Sequence, residues 1–197
     1  MGIAGIPWWT TDIGGFFGAN IYDEAYHEVF ARWFEYGAFC PVMRLHGYRM
    51  PYQPQFGTTG GAECVSGAPN EIWSYGDEVY EICKKYIAIR EEMRLYTRSL
   101  MQEAHEKGTP VMRPLFYDFP DDDNCWENEA EFMYGPQILV APVMKAGQQT
   151  KEVYLPTGAR WTDIWSGEIH EGGRTVTVET PLDKLPVFTR DGFELKV

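Results

Sequence analysis

An aspartate and two glycines, Asp12-Ile13-Gly14-Gly15, close an apolar run and lead into a helical one, and this order constrains the fold more than any other stretch of the chain. Ile3–Trp9 reads as a buried strand, and the glycines allow the sharp turn after it. The next segment, Asp23 to Ala38, carries Tyr26, Val29, Phe30, Trp33 and Phe34 at the i, i+3, i+4, i+7, i+8 spacing of one helix face. Gly37 and Pro41 bracket its end, and Val42–Leu45 can form a second short strand. The pattern is strand–loop–helix–strand, the unit of an α/β fold.

Beyond it, Tyr48–Ser74 is rich in Gly, Pro and Gln and shows no period. A loop of that length in a compact domain is usually functional. A long helix is expected from Asp77 to Glu106, with Val79, Ile82, Cys83, Tyr86, Ile87, Arg90, Met93, Tyr96 and Leu100 along one face. From Pro110 onward the pattern turns strand-like. Strands are expected near Met112–Tyr117, Gln137–Pro142, Thr150–Leu155, Arg160–Ile164, Arg174–Glu179 and Leu185–Arg190. Short strands separated by Gly and Pro turns predict a β-sandwich packed on the α/β part.

Charge narrows the function by exclusion. The chain has 197 residues, with 29 acidic and 17 basic side chains, and a net charge of −12. No basic stripe tracks phosphates, which argues against nucleic acid or an anionic membrane as partner. No apolar run approaches the roughly 20 residues that span a bilayer, and the N-terminus does not read as a signal peptide, so the compartment stays open. Aromatics make up 15% of residues, enough both for core packing and for stacking on sugar rings. The four cysteines, Cys40, Cys64, Cys83 and Cys125, lack metal-type spacing and read as free thiols.

Two places carry candidate chemistry, each just after an expected strand. Asp12 stands at a loop mouth, where it either binds a ligand or caps nearby backbone amides in an Asx turn. In Arg44-Leu45-His46-Gly47, His46 can donate to a hydroxyl and Arg44 can grip a carboxylate through two hydrogen bonds, or both can be structural. Asp118, Asp121, Asp122 and Asp123 read as a solvated turn rather than a Ca²⁺ loop, because Phe119-Pro120 interrupts them. Glu127, Glu129 and Glu131 read as a solvated flank.

The run Trp8–Phe16, Trp-Trp-Thr-Thr-Asp-Ile-Gly-Gly-Phe, resembles the W-[ST]-x-D-I-G-G-F block of glycoside hydrolase family 31. Arg44-Leu45-His46-Gly47 resembles that family's R-x-H block, at matching spacing. Ala31–Pro41, Gly108–Leu115, Phe119–Asp122, Tyr134–Val143 and Leu185–Arg190 continue the resemblance in order, so that it covers essentially the whole chain. It implies the last two β/α units of a (β/α)₈ TIM barrel over residues 1–107, with Asp12 and His46 ending strands seven and eight. The proximal C-terminal β-sandwich would follow over 108–197. In β/α barrels that end of the strands is where substrates bind.

The family cleaves α-linked xylosides or glucosides with retention and generally needs no cofactor or metal. By the resemblance, Asp12 and His46 contact the sugar in the −1 subsite, while Trp9, Phe16 and Arg44 line or brace it. The family's two catalytic aspartates lie upstream of the Trp8–Phe16 block, and neither motif occurs here. The resemblance therefore implies a chain with sugar-contacting residues but no catalytic pair. It would be inactive alone and would have the N-terminal remainder of the enzyme and an α-linked oligosaccharide as partners. A non-catalytic carbohydrate-binding module and a complementing half of a split enzyme are the alternatives. Asn70–Gly76 and Trp8-Trp9 resemble α-xylosidases more than animal α-glucosidases.

Overall fold

A computed structural model describes residues 1–197. In chain order the elements are β1 (Phe17–Asn20), α1 (Glu24–Ala38), β2 (Tyr48–Gln53), β3 (Ser66–Ala68), α2 (Asp77–Glu92) and α3 (Arg94–Lys107). There follow β4 (Met112–Arg113), α4 (Leu115–Asp118), α5 (Asp123–Trp126), β5 (Phe132–Tyr134), β6 (Ile138–Val140) and β7 (Thr150–Leu155). The chain closes with β8 (Arg160–Asp163), β9 (Ile169–Glu171), β10 (Arg174–Glu179) and β11 (Val187–Arg190).

Helix α1 starts where the sequence places it, because the Asp23 carboxylate caps the Ala25 N–H at 3.1 Å. Its buried face, Phe30, Ala31, Phe34 and Ala38, packs on α2 through Val79, Ile82 and Tyr86. The expected single long helix is interrupted at Met93, whose N–H is shared between the Ile89 and Glu91 carbonyls. Met93 itself is buried, and Ile87, expected on the inner face, is exposed while Ile89 takes its place. Gly108, in the left-handed conformation, stops α3 by donating to the Ala104 carbonyl.

A six-stranded antiparallel sheet, in the order β4-β5-β6-β11-β8-β9, forms the middle layer. Strand β6 shows why. Ile138 and Val140 face the helices, whereas Leu139 points to the opposite core with Met133, Trp161 and Phe188. Both faces are covered, so the strand is apolar throughout rather than alternating. The outer layer is the ribbon β7–β10, where Val153, Leu155, Val176 and Val178 turn inward and Glu152 and Thr177 outward. Each fully buried aliphatic or aromatic side chain contributes about 1.5–3 kcal/mol. Arg90 ties the layers together, donating to the carbonyls of Ala38, Cys40 and Pro41 and to the Tyr134 hydroxyl at 2.7–3.0 Å.

Several expectations are corrected. Ile3–Trp9 is not a strand: Gly2–Ala4 forms a 3-10 turn, and Ile3 and Trp8 are exposed. The segment after it pairs on one side only, through Val42 N–H to the Trp9 carbonyl and the parallel bridge Ile13–Leu45. A strand apolar on both faces is stable only when both are covered, which does not happen here. The irregular stretch Tyr48–Ser74 contains β2 and β3, which build a three-stranded sheet with β1. Met112–Tyr117 divides into β4 and the short helix α4, while β5 and β9 were not expected. The four cysteines are free, and only Cys64 is exposed. No helix is long and apolar enough to cross a membrane.

Candidate functional site

The turn that follows Ile13 and the loop that follows Leu45, the two residues of the parallel bridge, lie side by side. Gly14 and Gly15 have φ of +82° and +85°, conformations that an L side chain rarely adopts. They aim Asp12 outward while Ile13, fully buried, anchors the turn against α1 at Gly37, where a side chain would overlap it. The neighbouring loop is held to this turn by Ile13 N–H to the Arg44 carbonyl at 3.3 Å and by Tyr48 N–H to the Phe16 carbonyl at 3.1 Å. Gly47 approaches so closely that a Cβ there would overlap the carbonyls of Gly15 and Phe16.

Four of the five expected site residues meet at this mouth. Arg44 donates from one guanidinium nitrogen to Oδ1 of Asp12, as a single rather than a two-pronged contact. The phenyl ring of Phe16 stacks on the His46 imidazole, with centroids 5.6 Å apart and planes at 30°. Phe16, Arg44 and His46 are exposed, and the Asp12 side chain keeps 25% of its surface. The mouth thus offers a free carboxylate oxygen, an imidazole and an aromatic face. Such a set accepts from hydroxyls, donates to them and packs on C–H faces. Trp9 stands apart from these contacts. Its ring meets Tyr36 edge-on at 6.2 Å, and it lines a groove of about 1170 Å³ between α1 and the sheet, along with Trp33, Phe116, Trp126 and Phe132.

Sequence reasoning missed the residues beneath the mouth. Arg49 is fully buried, donating to the carbonyls of Ile13 at 3.2 Å, Gly15 at 2.8 Å and Tyr48 at 3.3 Å, with no carboxylate partner. Tyr26 donates to the Gly14 carbonyl at 2.6 Å. Asn70 donates to the Gly47 carbonyl at 2.8 Å and accepts from the Tyr75 hydroxyl. Tyr75 is buried and stacks on Phe30, centroids 3.8 Å apart, and its hydroxyl is pushed up to about 12 chiefly by that burial. A lone arginine in an aperiodic Gly- and Pro-rich stretch reads as solvated, and nothing in its local pattern signals burial.

Asp118 and Asp122, expected in a solvated turn, are instead largely buried and paired, while Asp121 and Asp123 are exposed. Asp118 pairs with Arg113 at 2.9 Å, and Asp122 caps α5 while accepting from the Tyr154 hydroxyl and the Thr157 N–H. Glu131, expected to be solvated, is 8% exposed and accepts from the Tyr154 N–H at 2.9 Å; Glu127 and Glu129 are exposed. These partners explain the positions without a bound ion.

Comparison with known proteins identifies the family and the fold. Residues 1–100 match the model of the glycosyl hydrolases family 31 TIM-barrel domain, and residues 108–193 that of the family's C-terminal domain. An α-xylosidase of Saccharolobus solfataricus is 40% identical over 190 residues, covering 96% of this chain and 24% of its own. Alpha-glucosidase 2 of Bacillus thermoamyloliquefaciens is 34% identical, covering 98% of this chain and 22% of its own. A family 31 α-xylosidase from a soil metagenome, solved with xylose, superposes with a TM-score of 0.94 at 49% identity, over 99% of this chain and 29% of that one. The chain spans about a quarter of the length of these relatives. Its architecture is the end of a TIM barrel followed by a β-sandwich, and with both family models matched in order along it, the chain belongs to glycosyl hydrolase family 31.

Proposed function

We propose that this chain supplies the sugar-holding end of a retaining α-glycosidase that removes terminal α-linked xylose or glucose from oligosaccharides, with xylosides preferred. Residues 1–107 are read as barrel and 108–197 as sandwich. The observation that carries the reading is the convergence of Asp12, Arg44, His46 and Phe16 at one mouth. In this reading the free oxygen of Asp12 accepts from sugar hydroxyls, His46 donates to one, Phe16 packs on the ring, and Arg44 holds the carboxylate in place. Trp9, read by resemblance as bracing the same pocket, stands instead in the groove between α1 and the sheet. The preference for xylosides is supported by the relatives named α-xylosidase at 40% and 49% identity.

A retaining glycosidase needs two carboxyl groups about 5–5.5 Å apart, a nucleophile and an acid/base. Arg44 is the side chain hydrogen-bonded to Asp12, and the family resemblance puts both catalytic carboxylates upstream of the Trp8–Phe16 block. The chain alone is therefore read as catalytically incompetent, with the N-terminal remainder of the enzyme as its partner. Between this reading and that of a free-standing carbohydrate-binding module, the match of residues 1–100 to the family's TIM-barrel domain favours the former.

The test is turnover of p-nitrophenyl α-xyloside and α-glucoside by the purified chain. No turnover is expected. Turnover abolished by Asp12→Asn would place a catalytic pair inside these residues and overturn the reading.

A further inference from the structure

The two glycines that make the Asp12 turn possible do not fix it. Gly14 and Gly15 have access to backbone conformations on both sides of φ = 0, so the direction in which Asp12 points must be set by something else. The structure places side-chain donors on three successive carbonyls of this turn. Ile13 and Gly15 are held by the Arg49 guanidinium, and Gly14 by the Tyr26 hydroxyl. On the other loop, the carbonyl of Gly47, next to His46, is held by Asn70, which the Tyr75 hydroxyl orients in turn.

These anchors belong to one assembly. Arg49 lies over the Tyr26 ring at 5.8 Å, Tyr26 packs on Tyr75 at 6.1 Å, and Tyr75 stacks on Phe30 of α1. Arg49 also bonds the Tyr48 carbonyl, so a single guanidinium grips both the Asp12 turn and the strand that leaves His46. A buried cation without a carboxylate partner costs stability unless its donors are occupied; carbonyl oxygens of the two loops occupy both terminal nitrogens of Arg49, while its Nε is left without a partner. The cost is accepted at the place where two sugar-facing loops need a fixed spacing.

We infer that Arg49 and the Asn70–Tyr75 pair are positioning residues that lock the Asp12 turn and the His46 loop into one rigid pocket wall. The inference rests on the reading of Asp12 and His46 as sugar-contacting. It adds a specific source for their rigidity. Arg49 acts through the backbone carbonyls, and neither Asn70 nor Tyr75 needs to touch the sugar.

The experiment is residue-resolved amide hydrogen exchange on the full 197-residue chain, together with a xylose titration followed by amide chemical shifts. Three amides report the clamp: Ile13, Gly15 and Tyr48, each donating within or between the two loops. Three variants cut chosen links. Asn70→Asp keeps the acceptor for Tyr75 but loses the donor to Gly47, Arg49→Lys keeps the charge but not the reach to both carbonyls, and Tyr75→Phe removes one hydroxyl from an otherwise unchanged ring.

Exchange at the three amides should rise at least about tenfold in Asn70→Asp and Arg49→Lys, and less in Tyr75→Phe, while the amides of β6 and β11 stay protected. Unchanged exchange at the loops, or a rise spread evenly over the whole chain, would overturn the inference. Arg49→Lys is the variant most at risk of misfolding, and Tyr75→Phe keeps the test decisive if that happens. If xylose shifts no amide of either loop in the parent chain while the variants still loosen the loops locally, the sugar reading fails and the clamp stands.

Discussion

Arg44 reaches across 32 residues of sequence to Oδ1 of Asp12, leaving the second carboxylate oxygen open to the mouth. The pair is half exposed on the arginine side and a quarter exposed on the aspartate side, so solvent screens it. Exposed ion pairs contribute about 0–1 kcal/mol to stability. Its value lies in orientation. Arg44→Gln is expected to change the unfolding free energy by less than about 1 kcal/mol while weakening sugar binding several-fold, a separation that denaturant melts and sugar titration together can read.

Gly47 and Gly18 make a matched pair. Both have positive φ, +108° and +89°, but a Cβ at Gly47 would overlap two carbonyls, whereas one at Gly18 meets nothing within 4 Å. Gly18→Ala should cost about 1–2 kcal/mol from backbone strain alone. Gly47→Ala should cost at least about 1 kcal/mol more, because the two loops must separate. Equal costs in urea melts would mean that the contact between the loops is loose.

Glu35 sits fully buried on α1, facing Arg32 on its own helix and Tyr86, Lys85 and Cys83 on α2. Burial outweighs the nearby Arg32 guanidinium and raises its carboxyl to about 8. The folded chain then holds a proton that the unfolded chain releases near 4.5. Stability is greatest below that value and falls as pH rises toward 8, by a few kcal/mol at most. Glu35→Gln should flatten this decline, as measured by unfolding free energies at about pH 5, 6.5 and 8. A wild-type curve that rises over this range would contradict the assignment.

Arg90 satisfies three carbonyls at the end of α1 as well as the Tyr134 hydroxyl of the sheet. Arg90→Met leaves those acceptors without donors and should cost at least about 3 kcal/mol. The loss should appear in one cooperative transition, since Arg90 joins the helices to the sandwich. Two separated transitions would mean that the halves unfold independently.

What was legible in the sequence follows from periodicity. The 3.6-residue period of α1 and the alternation Thr175-Val176-Thr177-Val178 point to elements that do form, although Val29, expected on the inner face of α1, is exposed. Ile3–Trp9 failed because an apolar run reports a preference for burial, and here no neighbour covers its outer side. The break at Met93 was hidden because the helical spacing continues across it. Motif resemblance singled out Asp12, Arg44, His46 and Phe16, and the fold pairs Arg44 with Asp12 and Phe16 with His46. The layer beneath them was not legible, because Arg49 and Asn70 act on backbone carbonyls brought together only by the fold.

The central claim is that this chain holds the sugar while the catalytic carboxylates come from elsewhere in the enzyme. The most direct measurement is hydrolysis of p-nitrophenyl α-xyloside by this chain, by a separate polypeptide carrying the preceding barrel strands, and by the two mixed. Activity should appear only on mixing and should fall by at least about a hundredfold with Asp12→Asn, a loss of roughly 3 kcal/mol in transition-state stabilisation. Hydrolysis by this chain alone, or a mixed enzyme indifferent to Asp12→Asn, would contradict the account.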